Sequence, residues 1–586
     1  MKRKNNCLLI LPKIFIAVLL VLANVHSQAQ GFLKTDGQRI VNEKGENVLL
    51  RGIGLGGWML QEGYMLKVYR DGRQHKIRQR IDSLIGPERT KEFYDAWLAN
   101  HTTKADIDSL KEWGFNSVRL PMHYNLYTLA VKDEKVAGEN TWLNKGFEMT
   151  DSLLSWCKSN GMYLILDLHA APGGQGNDLN IADRDNMQPS LWDSEADQKK
   201  MIALWKKLAE HYVNEPYIGG YDIINEPNWG FDDLKNDANG TKEQHNAPLK
   251  KLMEEITAAI RQVDKKHIII IEGNGWGNNY KGILPPWDNN MVLSFHKYWN
   301  YNNTASIQHI LDARNTYNVP VWVGETGENS NVWYTQAIHL FETNNIGWAW
   351  WPLKKIGNNN PFEVKMNPGY EKILAYFNSG AAKPSADEAY NGLMQLAAGL
   401  KTGSVVFHKD VIDAMFRQPF TMQAIPFKNN EVSGSSSIDA ADYDLGRNGA
   451  AYMDNDTADY HVSGVRSVGN KGGVYRNDGV DITRDSTGGY FVNNMDKGEW
   501  LQYTVVVKKA GNYKLELLMT GKSAAKVSLY CDDKMIGTNV DVPVIPVANN
   551  WQKLSAGNYT LKKGKHVIRL KVDEGGCNFK SIHFSL

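Results

Sequence analysis

The chain has almost no charge bias: 66 lysines and arginines stand against 65 aspartates and glutamates in 586 residues, a formal net charge of +1. That balance provides no field to recruit nucleic acid or an anionic membrane, so no nucleic-acid partner is expected. Cysteine is scarce, four in all, and no Cys/His cluster has zinc-site spacing. Long apolar runs are confined to the amino terminus. There Lys2, Arg3 and Lys4 precede an apolar stretch centred on Ile14 to Leu22, and small residues follow at Ala23, Ser27 and Ala29. Pro12 and Lys13 leave the run short of the roughly 20 apolar residues that span a bilayer. Residues 1–29 therefore read as a cleaved signal peptide, which predicts a secreted protein (extracellular, periplasmic or cell-surface) with no membrane span after cleavage. Removing Cys7 leaves Cys157, Cys531 and Cys577, an odd number that allows at most one intramolecular disulfide. Cys531 with Cys577 is the candidate pair, and three buried thiols are the alternative.

Aromatic residues are abundant, with 18 Trp and 26 Tyr. Their rings offer stacking faces with a polar edge, as sugar-binding surfaces need, although most must serve the core. The composition, 42% hydrophobic and 22% charged, excludes a mostly disordered, collagen-like or multi-span chain.

From about residue 31 to 375, short β-branched runs alternate with longer amphipathic stretches. Eight candidate strands stand out, at 48–52, 117–120, 163–168, 220–224, 267–271, 291–295, 321–323 and 347–350. Their nearly continuous apolar character means burial on both faces, as in a parallel sheet covered by helices. Eight such units fit a (β/α)8 barrel better than an open doubly wound sheet. The Gly52 to Gly57 run follows the first strand but lacks dinucleotide-fingerprint spacing and opens onto Trp58 and a long loop, so it is set aside. Helical stretches at Lys409 to Arg417, and after a Ser385 N-cap, are expected to pack on the barrel's outside. The polar Gly/Ser stretch 429–437 is the best linker candidate, and beyond it period-two strands separated by Gly, Asn and Asp turns predict a β-sandwich. The predicted class is α/β, a TIM barrel followed by an all-β jelly-roll sandwich, with domains at 1–29, 30–427 and 428–586.

In such a barrel the carboxyl ends of the strands meet at one mouth. Polar residues close almost every apolar run here: Arg119, His169, Asn225-Glu226, Glu272, His296-Lys297-Tyr298, Glu325 and Trp351. Two glutamates on opposite strands in an aromatic mouth suit glycosidic-bond cleavage, which needs one protonated and one ionised carboxyl group. No cofactor or metal is required. Glu272 reads as a mouth-lining group without a chemical role. Asn214-Glu215-Pro216 repeats the Asn-Glu-Pro triplet but precedes its strand, so it belongs to the opposite face and is assigned no catalysis.

At these residues the chain resembles glycoside hydrolase family 5, the cellulase-type retaining enzymes. The matching motifs are Ile224-Asn225-Glu226-Pro227, Gly324-Glu325, Gly114-Phe-Asn-Ser-Val-Arg119-Leu-Pro121, Leu166-Asp-Leu-His169, Ser294-Phe-His296-Lys-Tyr298 and Trp348-Ala-Trp350-Trp351. The segments Leu55-Gly-Gly-Trp58 and Leu168 to Gln175 look like the branch that includes exo-β-1,3-glucanases and related β-glucanases. The resemblance implies Glu226 as acid/base and Glu325 as nucleophile, with Asn225 on the sugar 2-hydroxyl. Arg119 and Tyr298 would brace Glu325, His169 and His296 would line the subsite, and Trp351 would be its stacking floor. It implies a β-glucan as polysaccharide partner and leaves xylan or mannan as the alternative substrate; a retired, purely binding barrel is a third reading. A monomer is expected.

Residues 428–586 resemble carbohydrate-binding module family 6 through Ile438-Asp-Ala-Ala-Asp-Tyr443, Val474-Tyr475 to Ile482, Gly498 to Val505 and Gly575 to Phe579. That resemblance implies a sugar cleft made by Tyr475, Trp551 and Asn578. It also implies that the family's structural calcium is missing, because Ala441 and Lys580 stand at two ligand positions and an ammonium repels the ion. Lys580 would instead compensate Asp439.

Overall fold

The computed structural model describes residues 31–463, 469–486, 488–545 and 550–586. The expected signal peptide, with Cys7, lies outside them. All eight expected strands form, and they close into a parallel barrel in chain order. They are β1 (Arg51–Gly54), β2 (Ser117–His123), β3 (Tyr163–Ala170), β4 (Ile218–Asp222), β5 (Ile269–Glu272), β6 (Met291–Lys297), β7 (Val321–Gly327) and β8 (Gly347–Trp351). Every residue from β2 to β8 is buried, which is why these runs lack period-two alternation.

The covering helices start where the sequence offers caps. Thr103 and Asp106 form a reciprocal capping box, and Ser194 and Ser330 accept from the backbone N–H groups of Asp197 and Trp333. One unit is reduced: between β5 and β6 the chain makes only a short turn at Asn274–Gly277, with Gly275 and Trp276 in the left-handed region.

The long insertion after β1 carries two helices, α1 (Gln74–Ile85) and α2 (Pro87–His101). They pack against α3 (Pro368–Ser379) and α4 (Ala386–Ala398), the latter N-capped by Ser385 as expected. Ile77, Ile81, Phe93 and Trp97 from the first pair meet Ile373, Phe377, Leu393 and Leu396 from the second in a satellite core separate from that of the barrel.

The stretch 429–437 is not a linker. Asn430–Val432 pairs with Trp500–Val507, and Ser436–Asp439 pairs with Gly576–Ser585, so the segment is already sandwich. Its Gly and Ser residues occupy a turn and edge-strand positions, which local composition does not distinguish from a tether. Two sheets then face each other over a core of Ile438, Leu501, Tyr503, Leu515, Leu529, Ile568 and Phe579. Cys531 and Cys577 are buried on different sheets and, like Cys157, are free thiols, so the disulfide does not form.

Candidate active site

The barrel mouth holds a cleft of about 770 Å³, within the usual range for a ligand site. Glu226 and Glu325 both line it, each 6% exposed, and carboxylate oxygens of the two lie within 4.8 Å of each other, with a His296 nitrogen equally near. His169, His296, Tyr298 and Trp351 share the lining.

Beneath the mouth, Arg119 is fully buried amid four carboxylates. Its guanidinium reaches Asp222 at 2.9 Å, Asp167 at 3.2 Å, Glu272 at 3.2 Å and Glu325 at 3.0 Å. It also donates to Asn225 Oδ1 at 2.9 Å, fixing the side-chain amide whose other end faces His169. Burial and the neighbouring acids push Asp222 well above the carboxylate range, which reduces the negative charge that Arg119 must balance. Glu325 receives a second donor, the Tyr298 hydroxyl at 2.7 Å. Burial raises its pKa, and the cations of His296, Arg119 and His169 act against that burial and the repulsion of Glu226.

Glu226 sits differently. Its backbone is left-handed, with φ 43°, a conformation that costs a non-glycine residue about 1–3 kcal/mol and clusters at functional sites. The strain is supported from below, where its N–H donates to Glu272 Oε2 at 2.7 Å. Glu272 is thus not a mouth-lining group: it is completely buried and ties together Arg119, the Glu226 backbone and His296 Nε2 at 3.1 Å. His296 completes the link by meeting Glu226 Oε1 at 2.7 Å, and the two glutamates raise its pKa well above the ordinary value despite burial.

His169 lies flat on Trp351, with ring centroids 5.1 Å apart and planes 4° apart. Burial penalises its charge, but Asp167 at 2.8 Å and Glu62 at 3.7 Å outweigh that penalty and raise its pKa to about 10. Because the fold favours the charged ring, this contribution is full below the ordinary value of 6.5 and is lost as pH rises through about 10. Calorimetric melting temperatures are therefore expected to fall across that alkaline window, and to fall less in His169→Gln; parallel curves would exclude His169 as the source.

Two lining residues carry no strand-end signal, since both belong to the insertion after β1. Glu62 is buried, and its carboxyl is raised to about 7 by burial against the pull of His169. The Tyr64 hydroxyl accepts from the Trp351 indole N–H at 2.8 Å and pins the ring's edge. The glycines set aside in the sequence lie close against the ring. A Cβ at Gly54 would stand 2.7 Å from Trp351 Cε3, and one at Gly56 2.5 Å from Cη2 and Cζ2. Gly56→Ala is thus expected to push the floor out of place and to lower kcat/KM by about 10²-fold, since a shift of 1 Å near the chemistry costs that much. Unchanged steady-state kinetics would show that the ring has room to give.

The Asn214–Pro216 decoy does lie on the far face, with Glu215 paired to Lys158 at 2.7 Å. The three residues of the expected sugar clamp in the sandwich are each partly buried. Tyr475 is stacked on Tyr490, with centroids 4.4 Å apart, and its hydroxyl donates to Asp442 at 2.5 Å. Trp551 packs edge-on with Phe491 and donates to Asp485 at 2.6 Å, while Asn578 Oδ1 accepts the Asn494 N–H at 3.1 Å. The Tyr475 hydroxyl, the Trp551 indole N–H and the Asn578 Oδ1 are thus engaged within the sandwich. Lys580 pairs with Asp485 at 2.7 Å, and its charge also acts on Asp439, where with Lys428 it opposes the burial and the Asp442 charge that raise that carboxyl's pKa.

Residues 81–357 match the family profile Cellulase (glycosyl hydrolase family 5), and residues 476–583 match Carbohydrate binding module (family 35). The second match corrects the resemblance to family 6. The strand residues behind that resemblance, such as Leu501, Tyr503 and Val505, are buried sandwich-core positions, which either family must fill. The "Beta-xylosidase" of Phanerodontia chrysosporium is 26% identical over 384 residues, covering 59% of this chain and 75% of that protein. "Endoglucanase C" of Acetivibrio thermocellus is 27% identical over 231 residues, covering 39% of this chain and 58% of its own. "Glucan 1,3-beta-glucosidase" of Candida oleophila is 28% identical over 197 residues, covering 31% of this chain and 43% of that protein. The chain thus spans less than two thirds of the latter two relatives. Residues 81–357, which hold barrel strands β2 to β8, are thus a glycoside hydrolase family 5 domain, of enzymes that hydrolyse O-glycosyl bonds, and a carbohydrate-binding module matching family 35 follows them in the chain.

Proposed function

We propose that the protein is a secreted, retaining β-glycoside hydrolase that cleaves a β-glucan by double displacement. The observation that carries this reading is the pair of carboxylates within 4.8 Å in one cleft, nearer the 5–5.5 Å or so of retaining enzymes than the 6.5–9.5 Å or so of inverting ones. Their surroundings divide the roles. Glu325, gripped by the Arg119 guanidinium and the Tyr298 hydroxyl, attacks the anomeric carbon as the glycosidic C–O bond breaks. Glu226 gives its proton to the departing oxygen, then takes one from the water that cleaves the glycosyl ester and regenerates the Glu325 carboxylate. Burial together with His296 and Glu272 holds Glu226 at its post. Trp351 stacks under the sugar, Asn225 holds the 2-hydroxyl, and Glu62, His169 and Tyr64 close one side of the cleft around the remaining hydroxyls.

The module raises the local concentration of enzyme on the polysaccharide. Xylan is the second reading, favoured by the β-xylosidase relative, which matches a larger share of this chain than the other two. The deciding experiment is reducing-sugar release on β-1,3-glucan, β-1,4-glucan, mixed-linkage glucan, xylan and mannan, with products sized by chromatography. Glucan hydrolysis is the expected result, and the product ladder separates cleavage at chain ends from internal cleavage. Activity confined to xylan or mannan would replace the glucan reading.

A further inference from the structure

The seam between barrel and sandwich is neither open nor apolar. Asn477 of the sandwich is completely buried and donates its side-chain amide to Asn329 O at 2.8 Å and Asn331 Oδ1 at 3.2 Å. Its carbonyl accepts the Asn331 N–H at 2.8 Å, and its own N–H donates to Asp410 at 2.8 Å. Ser330 donates to Ala458 O at 2.7 Å, Asn358 to Arg476 O at 2.8 Å, and Gln336 to Asp459 at 2.7 Å. Directional, water-excluded hydrogen bonds of this kind fix one geometry, whereas a tether would sample many.

The loop so held follows β7, the strand of Glu325, and contains Glu328, which lines the cleft. Its Glu328 carbonyl accepts the indole N–H of Trp299 at 3.3 Å, another lining residue, whose ring is 44% exposed. Two residues on, Tyr301 is 42% exposed and meets two rings of the sandwich, Tyr460 edge-on at 4.9 Å and His461 tilted at 5.3 Å. Tyr460 is anchored against the barrel core, and Lys297 secures the loop from beneath by donating to Tyr301 O at 3.0 Å and to Asn302 at 2.8 Å. Tyr301 thus follows the lining residues Trp299 and Asn300 in the chain, and two rings of the sandwich rest against it.

We propose that the sandwich buttresses the loops at the rim of the catalytic cleft and that Tyr301, with His461 beside it, forms an outer stacking subsite for the β-linked sugar chain being cleaved. The inference rests on the hydrolase reading above and adds a shared subsite to it. Exposed rings take the C–H faces of sugars, so the gain is confined to chains long enough to reach Tyr301.

The test uses the full chain carrying Glu325→Gln, which binds without turnover, with and without Tyr301→Ala or His461→Ala. Calorimetric titration with di- and hexasaccharides of β-1,3-glucan, β-1,4-glucan and xylan gives the ratio of long-chain to short-chain affinity. That ratio is expected to fall about ten-fold in Tyr301→Ala and by a smaller factor in His461→Ala. An unchanged ratio, or a failure of every hexasaccharide to bind, overturns the proposal. Binding of the xylan series alone would sink the glucan reading, while its length dependence still decides the subsite. Small-angle scattering of the unmodified chain supplies an independent check: one compact body is expected, and an extended profile of two moving bodies overturns the fixed buttress.

Discussion

Glu325→Ala is expected to lower kcat on a β-glucan by about 10⁵-fold, because no group remains to form the glycosyl ester. Glu226→Ala will cost about 10²–10⁴-fold on the same polymer, the usual contribution of a general acid. The two variants part on an aryl glycoside whose leaving group needs no proton. There Glu226→Ala retains glycosylation and stalls at deglycosylation, giving a pre-steady-state burst, while Glu325→Ala gives none. Added azide sharpens the contrast through stereochemistry. In Glu226→Ala it attacks the glycosyl ester and yields the β-azide; in Glu325→Ala it fills the vacated space under the sugar and yields the α-azide. Product configuration by proton NMR reads this directly, and a β-azide from Glu325→Ala would reverse the assignment of the two carboxylates.

Arg119→Met is expected to destabilise the fold by about 3–5 kcal/mol and to abolish activity, since it leaves Asp167, Asp222, Glu272 and Glu325 buried around an uncharged side chain. The large cost comes from the stranded carboxylates rather than from the worth of any single pair. Arg119→Lys keeps the charge but loses the planar fork that addresses Asp222, Asn225, Glu272 and Glu325 at once, so part of the stability should return without the activity. Denaturant unfolding beside turnover measures both. A variant with the wild-type unfolding midpoint would mean that the four acids are neutral in the fold, and that Arg119 does not set their charge.

The mouth was legible because a parallel barrel converts a one-dimensional pattern into a place. Apolar runs ending in His169, Glu226, His296 and Glu325 deliver those side chains to one end of the barrel whatever the intervening loops do. Depth was harder to read. Glu272 ends its run just as Glu325 does, yet it lies beneath the mouth because its partners Arg119, His296 and the Glu226 backbone come from three other strands. Asp167 and Asp222 did carry a local signal, as lone acids inside apolar strands, and their burial around Arg119 explains their presence. Glu62 and Tyr64 carried none, because a long insertion returns to the mouth through tertiary packing. The Gly54 and Gly56 signal was visible, but its cause, the Trp351 ring from the far end of the barrel chain, was not. In the sandwich the strands were readable from their period, whereas the ring neighbours of Tyr475 and Trp551, which are Tyr490 and Phe491 on one distant strand, were not.

The satellite core decides where this chain can be cut. The cellulase match ends at residue 357, before α3 and α4 begin. A fragment stopped there would keep α1 and α2 but strip the partners from Ile77, Ile81, Phe93 and Trp97, turning a sealed interior into an exposed sticky patch. The same insertion delivers Glu62 and Tyr64 to the cleft, so loosening it would also unfasten the edge of Trp351. Solubility and sugar recognition in a shortened protein therefore share one requirement, the retention of both helices beyond the matched segment, and protease nicks between α3 and α4 should silence the enzyme without touching a single residue of its mouth.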